Sequence, residues 1–191
     1  MCCKFSLKSF KKAILNLAVC CLAISLIMVT GCKDNNVLIS FEVDTYLSHN
    51  TDFEKKAAVV LPSKEDIEGS KIIYYSLYDN SGASFEEGIL CLTVEYSDEK
   101  FATESQRLEG LLVTENVGIG GSFYYNEVLY NSFQYEASKS DIGYCALAYN
   151  INLESNAISY IVFSCENLTY MDVESALNSF SSHIKETVLP H

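Results

Sequence analysis

The chain has 191 residues, 49% of them hydrophobic, which is enough for a domain with its own buried core. Its 25 acidic and 13 basic residues give a net charge of −12 at pH 7. A surface of this sign repels phosphate backbones, which argues against nucleic acid as a partner and leaves cationic partners or simple solubility to explain the acidity.

The first 31 residues have the pattern of a secretory signal. Four lysines without an acidic residue precede an apolar run over residues 13–29. The positive charges therefore lie on the side of the run that faces the cytoplasm. The run is at the short limit of the roughly 17 to 25 residues that span a bilayer, and an uncut membrane anchor is the alternative interpretation.

The apolar run ends in Val29-Thr30-Gly31-Cys32, which resembles the lipobox of bacterial lipoproteins. The resemblance implies cleavage before Cys32 and attachment of diacylglycerol to its thiol. Two acyl chains suffice for stable membrane retention, at about 0.8 kcal/mol per buried methylene. We therefore expect a signal peptide over residues 1–31, a tether over 32–50 and a single extracytoplasmic domain over 51–191, anchored to the cell membrane by its lipid.

The first half of the domain is predicted to contain a short helix and a β-hairpin. The helix covers residues 52–60, is capped by its first residue and is ended by Pro62. Branched and aromatic residues predict strands over 71–79 and 88–96, separated by an Asp-Asn-Ser-Gly turn. Alternation in the second strand places four apolar residues on one face: Leu90, Leu92, Val94 and Tyr96.

An amphipathic helix and an aromatic strand are predicted next. Acidic residues in a first turn and apolar residues at helical spacing indicate a helix from Ser97 to Leu112. The run over residues 123–135 is strongly aromatic and is predicted to be a strand.

A second hairpin and a final helix complete the prediction. The hairpin strands cover residues 142–153 and 157–165. Thr169 and Asp172 resemble a capping box, followed by an apolar helix face that extends to Ile184. This order predicts an α+β fold of two layers, in which an antiparallel sheet of about five strands is packed by two helices.

Three cysteines belong to the predicted domain: Cys91, Cys145 and Cys165. They form no CxxC pair and have no histidine at ligand spacing, so no zinc site is predicted. If the second hairpin turns about Ser155, Cys145 lies opposite Cys165 at a Cα separation of about 4.5 to 5.5 Å, which permits a disulfide. The pair is predicted to be adjacent, either bonded or as two buried thiols, with Cys91 left over.

Other motifs give no indication of an enzyme. The glycine-rich segment over residues 118–122 follows a predicted helix and precedes a strand, which is the reverse of a dinucleotide fingerprint. The three histidines are isolated, and the sequence has neither a nucleophile elbow nor an EF-hand loop. No catalytic residue, metal ligand or cofactor is therefore assigned.

Thirteen tyrosines and no tryptophan make tyrosine the candidate binding residue. Tyrosine offers a flat apolar face with a hydroxyl, which suits sugars, peptides and proteins. The aromatic run supplies a candidate ligand platform of Tyr124, Tyr125, Tyr130 and Tyr135. The alternative is that these tyrosines fill and edge the sheet.

A limited family resemblance follows from the Leu61-Pro62 stop, the CLTVEY strand over residues 91–96 and the ESQRLE helix over residues 104–109. These features resemble small lipoproteins of low-GC Gram-positive bacteria. That family has no assigned activity, so the resemblance implies a surface location and transfers no functional residue.

Two hypotheses of function follow. Without residues 1–31 the chain has 9 basic and 25 acidic residues, or a charge of −16. The favoured hypothesis is a non-enzymatic, lipid-anchored binding or accessory domain that holds a protein or cell-wall ligand. The alternative is a small cell-wall-directed hydrolase that uses acids such as Glu86, Glu87 or Glu95, which requires carboxylates that converge in a cleft.

Overall fold

A computed structural model describes residues 37–48, 51–80, 87–114, 120–136 and 144–190. The predicted signal peptide and the candidate lipidation residue Cys32 lie outside the described residues. Among the helices of the described residues, none is long and apolar enough to cross a membrane.

The described residues form one antiparallel sheet of seven strands in the order β1-β2-β3-β7-β6-β5-β4. The α+β class and the antiparallel sheet are thus confirmed, with more strands than predicted. The strands are β1 Val37–Ser40, β2 Lys71–Asn80, β3 Glu87–Glu95, β4 Gly121–Tyr125, β5 Val128–Glu136, β6 Tyr144–Asn152 and β7 Ala157–Ser164.

One added strand comes from the aromatic run, which is a hairpin and not a single strand. Its turn residues Asn126 and Glu127 have positive φ angles of 47° and 66°. A two-residue turn with both φ angles positive matches the twist of the flanking strands β4 and β5. The prediction of one strand was wrong because Asn-Glu lacks the glycine that usually marks such a turn.

The other added strand lies within the predicted tether. Strand β1 pairs with β2, with Ile39 opposite Tyr78. A few residues further on, Tyr46 is buried and its hydroxyl donates to the carbonyl of Pro62 at 2.6 Å. Residues 37–48 therefore belong to the folded domain and correct the predicted tether, whose other residues lie outside the described ranges.

The described residues include a 3-10 turn, Val43–Thr45, and four α-helices. Thr51, not Asp52, caps the first helix, and its hydroxyl forms a capping box with Glu54. The final predicted helix is two helices, because Phe180 has an extended backbone and Ser181 caps a new start. The helices are α1 Asp52–Ala57, α2 Asp98–Thr114, α3 Val173–Ser179 and α4 Ser182–Val188.

Helices cover both faces of the sheet, so the domain has three layers and the two-layer prediction was wrong. On the first face, Phe53 of α1 and Leu108 of α2 pack on the sheet together with the four alternating residues predicted for β3. On the second face, Leu177 of α3 and Val188 of α4 pack on Cys91 and its neighbours. Central strands that are buried on both faces have continuous apolar sequences. The sequence pattern therefore does not reveal that a second layer of helices covers the sheet.

The register of the second hairpin separates its two cysteines. Ala146 lies opposite Phe163, one residue away from the predicted pairing. A shift of one residue moves a side chain to the other face of a strand, so Cys145 lies in the first core and Cys165 packs beside the second. None of the three cysteines in the described part of the chain forms a disulfide, and the predicted Cys145–Cys165 pair was wrong.

The Cys91 thiol is expected to resist alkylation in the folded protein. Burial raises the pKa of this thiol to about 12, so it stays protonated at pH 8, and the thiolate is the nucleophile. Iodoacetamide treatment at pH 8, followed by peptide mass mapping, is expected to leave Cys91 unmodified until urea is added. Rapid modification of Cys91 in the native protein would contradict this burial.

Candidate functional site

The second face carries a groove of about 310 Å³ beyond the part of the sheet that α3 and α4 cover. We call it the sheet groove. Every described residue that lines it is uncharged. The polar and aromatic strand residues that line it are Thr93, Tyr125, Tyr130, Asn150, Asn152 and Ser159, beside three apolar strand residues.

The strand register brings the polar residues of the sheet groove into one row. Thr93 of β3 lies opposite Ser159 of β7, and Ser159 lies opposite Asn150 of β6. The β5–β6 register, which pairs Asn131 with Tyr149, extends this row to Tyr130 on β5. A single line of side chains therefore crosses four neighbouring strands.

A change of residue type along each strand creates this row. On the second face, β3 proceeds from Ile89 and Cys91 to Thr93, whereas β6 proceeds from Ala146 and Ala148 to Asn150. Strand β7 shows the same change in reverse, from Ser159 to the apolar Ile161 and Phe163. Along these three strands, apolar residues therefore pack in the second core, and polar residues line the groove.

Hydrogen bonds within the groove orient its polar groups and leave them bonding capacity. The hydroxyls of Thr93 and Ser159 are 3.0 Å apart, a contact that uses only one of their two protons. The Asn150 amide donates to the Leu129 carbonyl at 2.8 Å, which directs its own oxygen away from that bond. At the rim, the Asn126 amide donates to the Pro190 carbonyl at 3.1 Å and ties the β4–β5 turn to the residues after α4.

Two tyrosines form the aromatic wall of the groove. Tyr130 is buried and stacks on Phe123 with a centroid distance of 6.0 Å and an interplanar angle of 17°. Burial raises the pKa of Tyr130 to about 12 and also raises the pKa of the half-buried Tyr125. Both phenols are therefore protonated at neutral pH, and the wall carries no charge.

The predicted tyrosine platform is only partly assembled. Tyr125 and Tyr130 line the groove, whereas Tyr124 is 70% exposed and points to the opposite face of β4. Tyr135 is fully buried in the first core, where its hydroxyl donates to the Lys56 carbonyl at 3.0 Å. Sequence reasoning missed the hydroxyl and amide residues, although the apolar-to-polar change along alternate strand positions was a usable signal.

The acids of the hydrolase hypothesis do not form a catalytic pair among the described residues. Glu87 and Glu95 lie at the two ends of β3, about 26 Å apart along an extended strand. Glu95 also forms an exposed ion pair with Lys71 at 3.2 Å. The third candidate, Glu86, lies outside the described residues.

A second polar cluster lies on the first face beside a cavity of about 400 Å³. The Glu104 carboxylate accepts two hydrogen bonds from Arg107, at 2.6 and 2.7 Å, and one from the Tyr160 hydroxyl at 2.7 Å. Arg107 also donates to the Val60 carbonyl at 2.8 Å, and Tyr160 contacts the Tyr96 hydroxyl at 3.0 Å. These groups bond mainly to one another, so the cluster ties α2 to β7 and to the segment after α1.

No cluster of three or more histidine, cysteine or acidic side chains suited to a metal ion occurs within the described ranges. The chemistry of the sheet groove is therefore that of neutral hydrogen bonding and aromatic contact.

A scan of protein-family models finds no match to the chain, and a search of curated proteins finds no similar sequence.

Proposed function

We propose that the chain is a lipid-anchored, extracytoplasmic binding domain without catalytic activity and that its ligand occupies the sheet groove. The row of Thr93, Ser159 and Asn150 carries the proposal, because it places uncharged hydrogen-bonding groups side by side in an open groove of the sheet. The groove offers no carboxylate among its described lining residues, whereas glycoside hydrolysis requires two. The residues that line this groove therefore favour binding over hydrolysis at this site.

The proposed anchor keeps the domain close to the membrane. Cys32 precedes the first described residue, Val37, by five positions. Five residues span at most about 18 Å, so a lipid on Cys32 restricts the domain to the layer next to the bilayer. A ligand in the cell envelope is within reach of such a domain.

The anchor is tested by intact mass spectrometry of the protein expressed in its native host. We expect the mass of a chain that begins at Cys32 and carries a diacylglycerol. The Cys32→Ala variant is expected to keep residues 1–31 and to carry no lipid. Equal masses for the two proteins, apart from the substitution, would rule out the proposed lipidation.

The groove is tested by retention of the full-length protein, in detergent, on washed wall fragments from the native host. Ser159→Trp places a large side chain in the groove and is expected to abolish most of the retention. Asn131→Trp, on the exposed opposite face of the neighbouring strand β5, is the matched control and is expected to retain it. Equal retention of both variants would contradict a binding role for the groove.

A further inference from the structure

We infer that the ligand of the sheet groove is a neutral saccharide, an inference that rests on the proposed function. Charge is the first reason. The chain is strongly acidic, yet every described residue lining the groove is uncharged. A charged ligand would lose its hydration there without gaining a charged partner, which is costly.

Hydrogen-bonding capacity is the second reason. A sugar hydroxyl both donates and accepts, and so do the hydroxyls and amides of the groove. The Thr93 and Ser159 hydroxyls bond to each other, Ser159 also interacts with the Tyr130 hydroxyl, and the bond from Asn150 to Leu129 holds that amide in place. Lone pairs on these oxygens remain available to a ligand. Because these groups are ordered before a ligand arrives, binding costs less conformational entropy.

The aromatic wall is the third reason. Tyr130 is buried in its stack on Phe123 and supports the wall from behind, whereas the half-buried Tyr125 at the end of β4 offers the accessible ring. Tyrosine presents a flat apolar face and a hydroxyl, which suits the mixed apolar and polar faces of a sugar ring. The volume of about 310 Å³ accommodates the end of a short oligosaccharide, at the lower limit of small-molecule sites.

The position of the groove disfavours an extended peptide. Peptides that join a sheet bond to the free backbone groups of an edge strand. The polar row crosses β3, β7 and β6, which are interior strands with neighbours on both sides. Their backbone groups are already paired, so recognition in the groove must depend on side chains.

The test is calorimetric titration of the full-length protein in a detergent without a sugar head group. The probes are maltotriose, the trimer of N-acetylglucosamine and the anionic trimer of galacturonic acid. We expect at least one neutral trimer to bind with a dissociation constant of about 1 mM or lower, and the anionic trimer not to bind.

Two adjacent tyrosines provide a matched pair of variants. Tyr125→Ala is expected to weaken neutral sugar binding about tenfold, whereas Tyr124→Ala, on the other face of the same strand, leaves it unchanged. Thr93→Val keeps the side-chain shape but removes the hydroxyl, and is expected to weaken binding about two- to tenfold.

The outcomes separate the two proposals. If no neutral trimer binds but Ser159→Trp still abolishes retention on wall fragments, the groove is a binding site and the saccharide class is wrong. Binding of the anionic trimer, or equal effects of Tyr124→Ala and Tyr125→Ala, would also overturn the inference. If neither tryptophan variant changes wall retention, the proposed function itself fails.

Discussion

Gly88→Ala is expected to destabilise the domain by about 2 to 3 kcal/mol, at the upper end of the cost of overpacking a core. A Cβ atom on Gly88 would lie 2.5 to 2.7 Å from three ring atoms of Phe53. The Phe53 ring is only 1% exposed, so it has no free space into which to move. Close packing of α1 on β3 therefore requires that residue 88 has no side chain.

Urea unfolding of the full-length protein measures this effect. Gly110→Ala is the control, because nothing lies within 4 Å of the added Cβ on α2, and it is expected to stabilise by about 0.5 to 1 kcal/mol. Phe53→Leu in the Gly88→Ala background removes the ring and is expected to recover part of the loss. A Gly88→Ala protein as stable as the wild type would show that α1 does not pack on β3 in this way.

Arg107→Ala is expected to lower the free energy of unfolding by about 2 to 3 kcal/mol. Removing one partner of a fully buried ion pair costs about 3 to 5 kcal/mol. The expected cost is lower here because the Arg107 side chain is 30% exposed. The variant leaves the buried Glu104 carboxylate with the Tyr160 hydroxyl as its one remaining partner in the cluster described above. It also removes the hydrogen bond to the Val60 carbonyl.

A double-mutant cycle with Glu104→Gln isolates the pair, since a neutral amide has less need of the guanidinium. Arg107→Ala is therefore expected to cost less in the Glu104→Gln background. Lys55→Ala is the matched control, because Lys55 forms an i,i+3 pair with Asp52 in which the side chains are 61% and 71% exposed. Its cost is expected to be about 0.5 kcal/mol or less, and a similar cost for Arg107→Ala would contradict a structural role for the cluster.

Local signals in the sequence predicted several elements correctly. The hairpin of β2 and β3, the shared face of Leu90 and Val94, and the helix α2 follow from residue alternation, helical spacing and turn residues. Each of these features is determined mainly by residues close together in the chain. The order and bounds of these elements were therefore predictable within a few residues.

The sequence-based prediction was wrong where one residue sets the strand register or the end of a helix. The second hairpin was predicted one position out of register, which brought Cys145 and Cys165 together when they lie at different faces. Phe180 has an apolar side chain suited to a helix, yet its extended backbone ends α3. Tertiary packing decided both cases, because Cys145 is buried in the first core whereas Phe180 is buried in the second.

The α+β class, the antiparallel hairpins and the excess of acidic residues follow from composition and from neighbours along the chain, so the sequence predicts them. The sheet groove depends on contacts between distant parts of the chain. Strand β7 lies between β3 and β6, and this order brings Ser159 against Thr93 although they are 66 residues apart. Such contacts depend on how distant strands pair to bury both faces of one sheet, which no local pattern specifies.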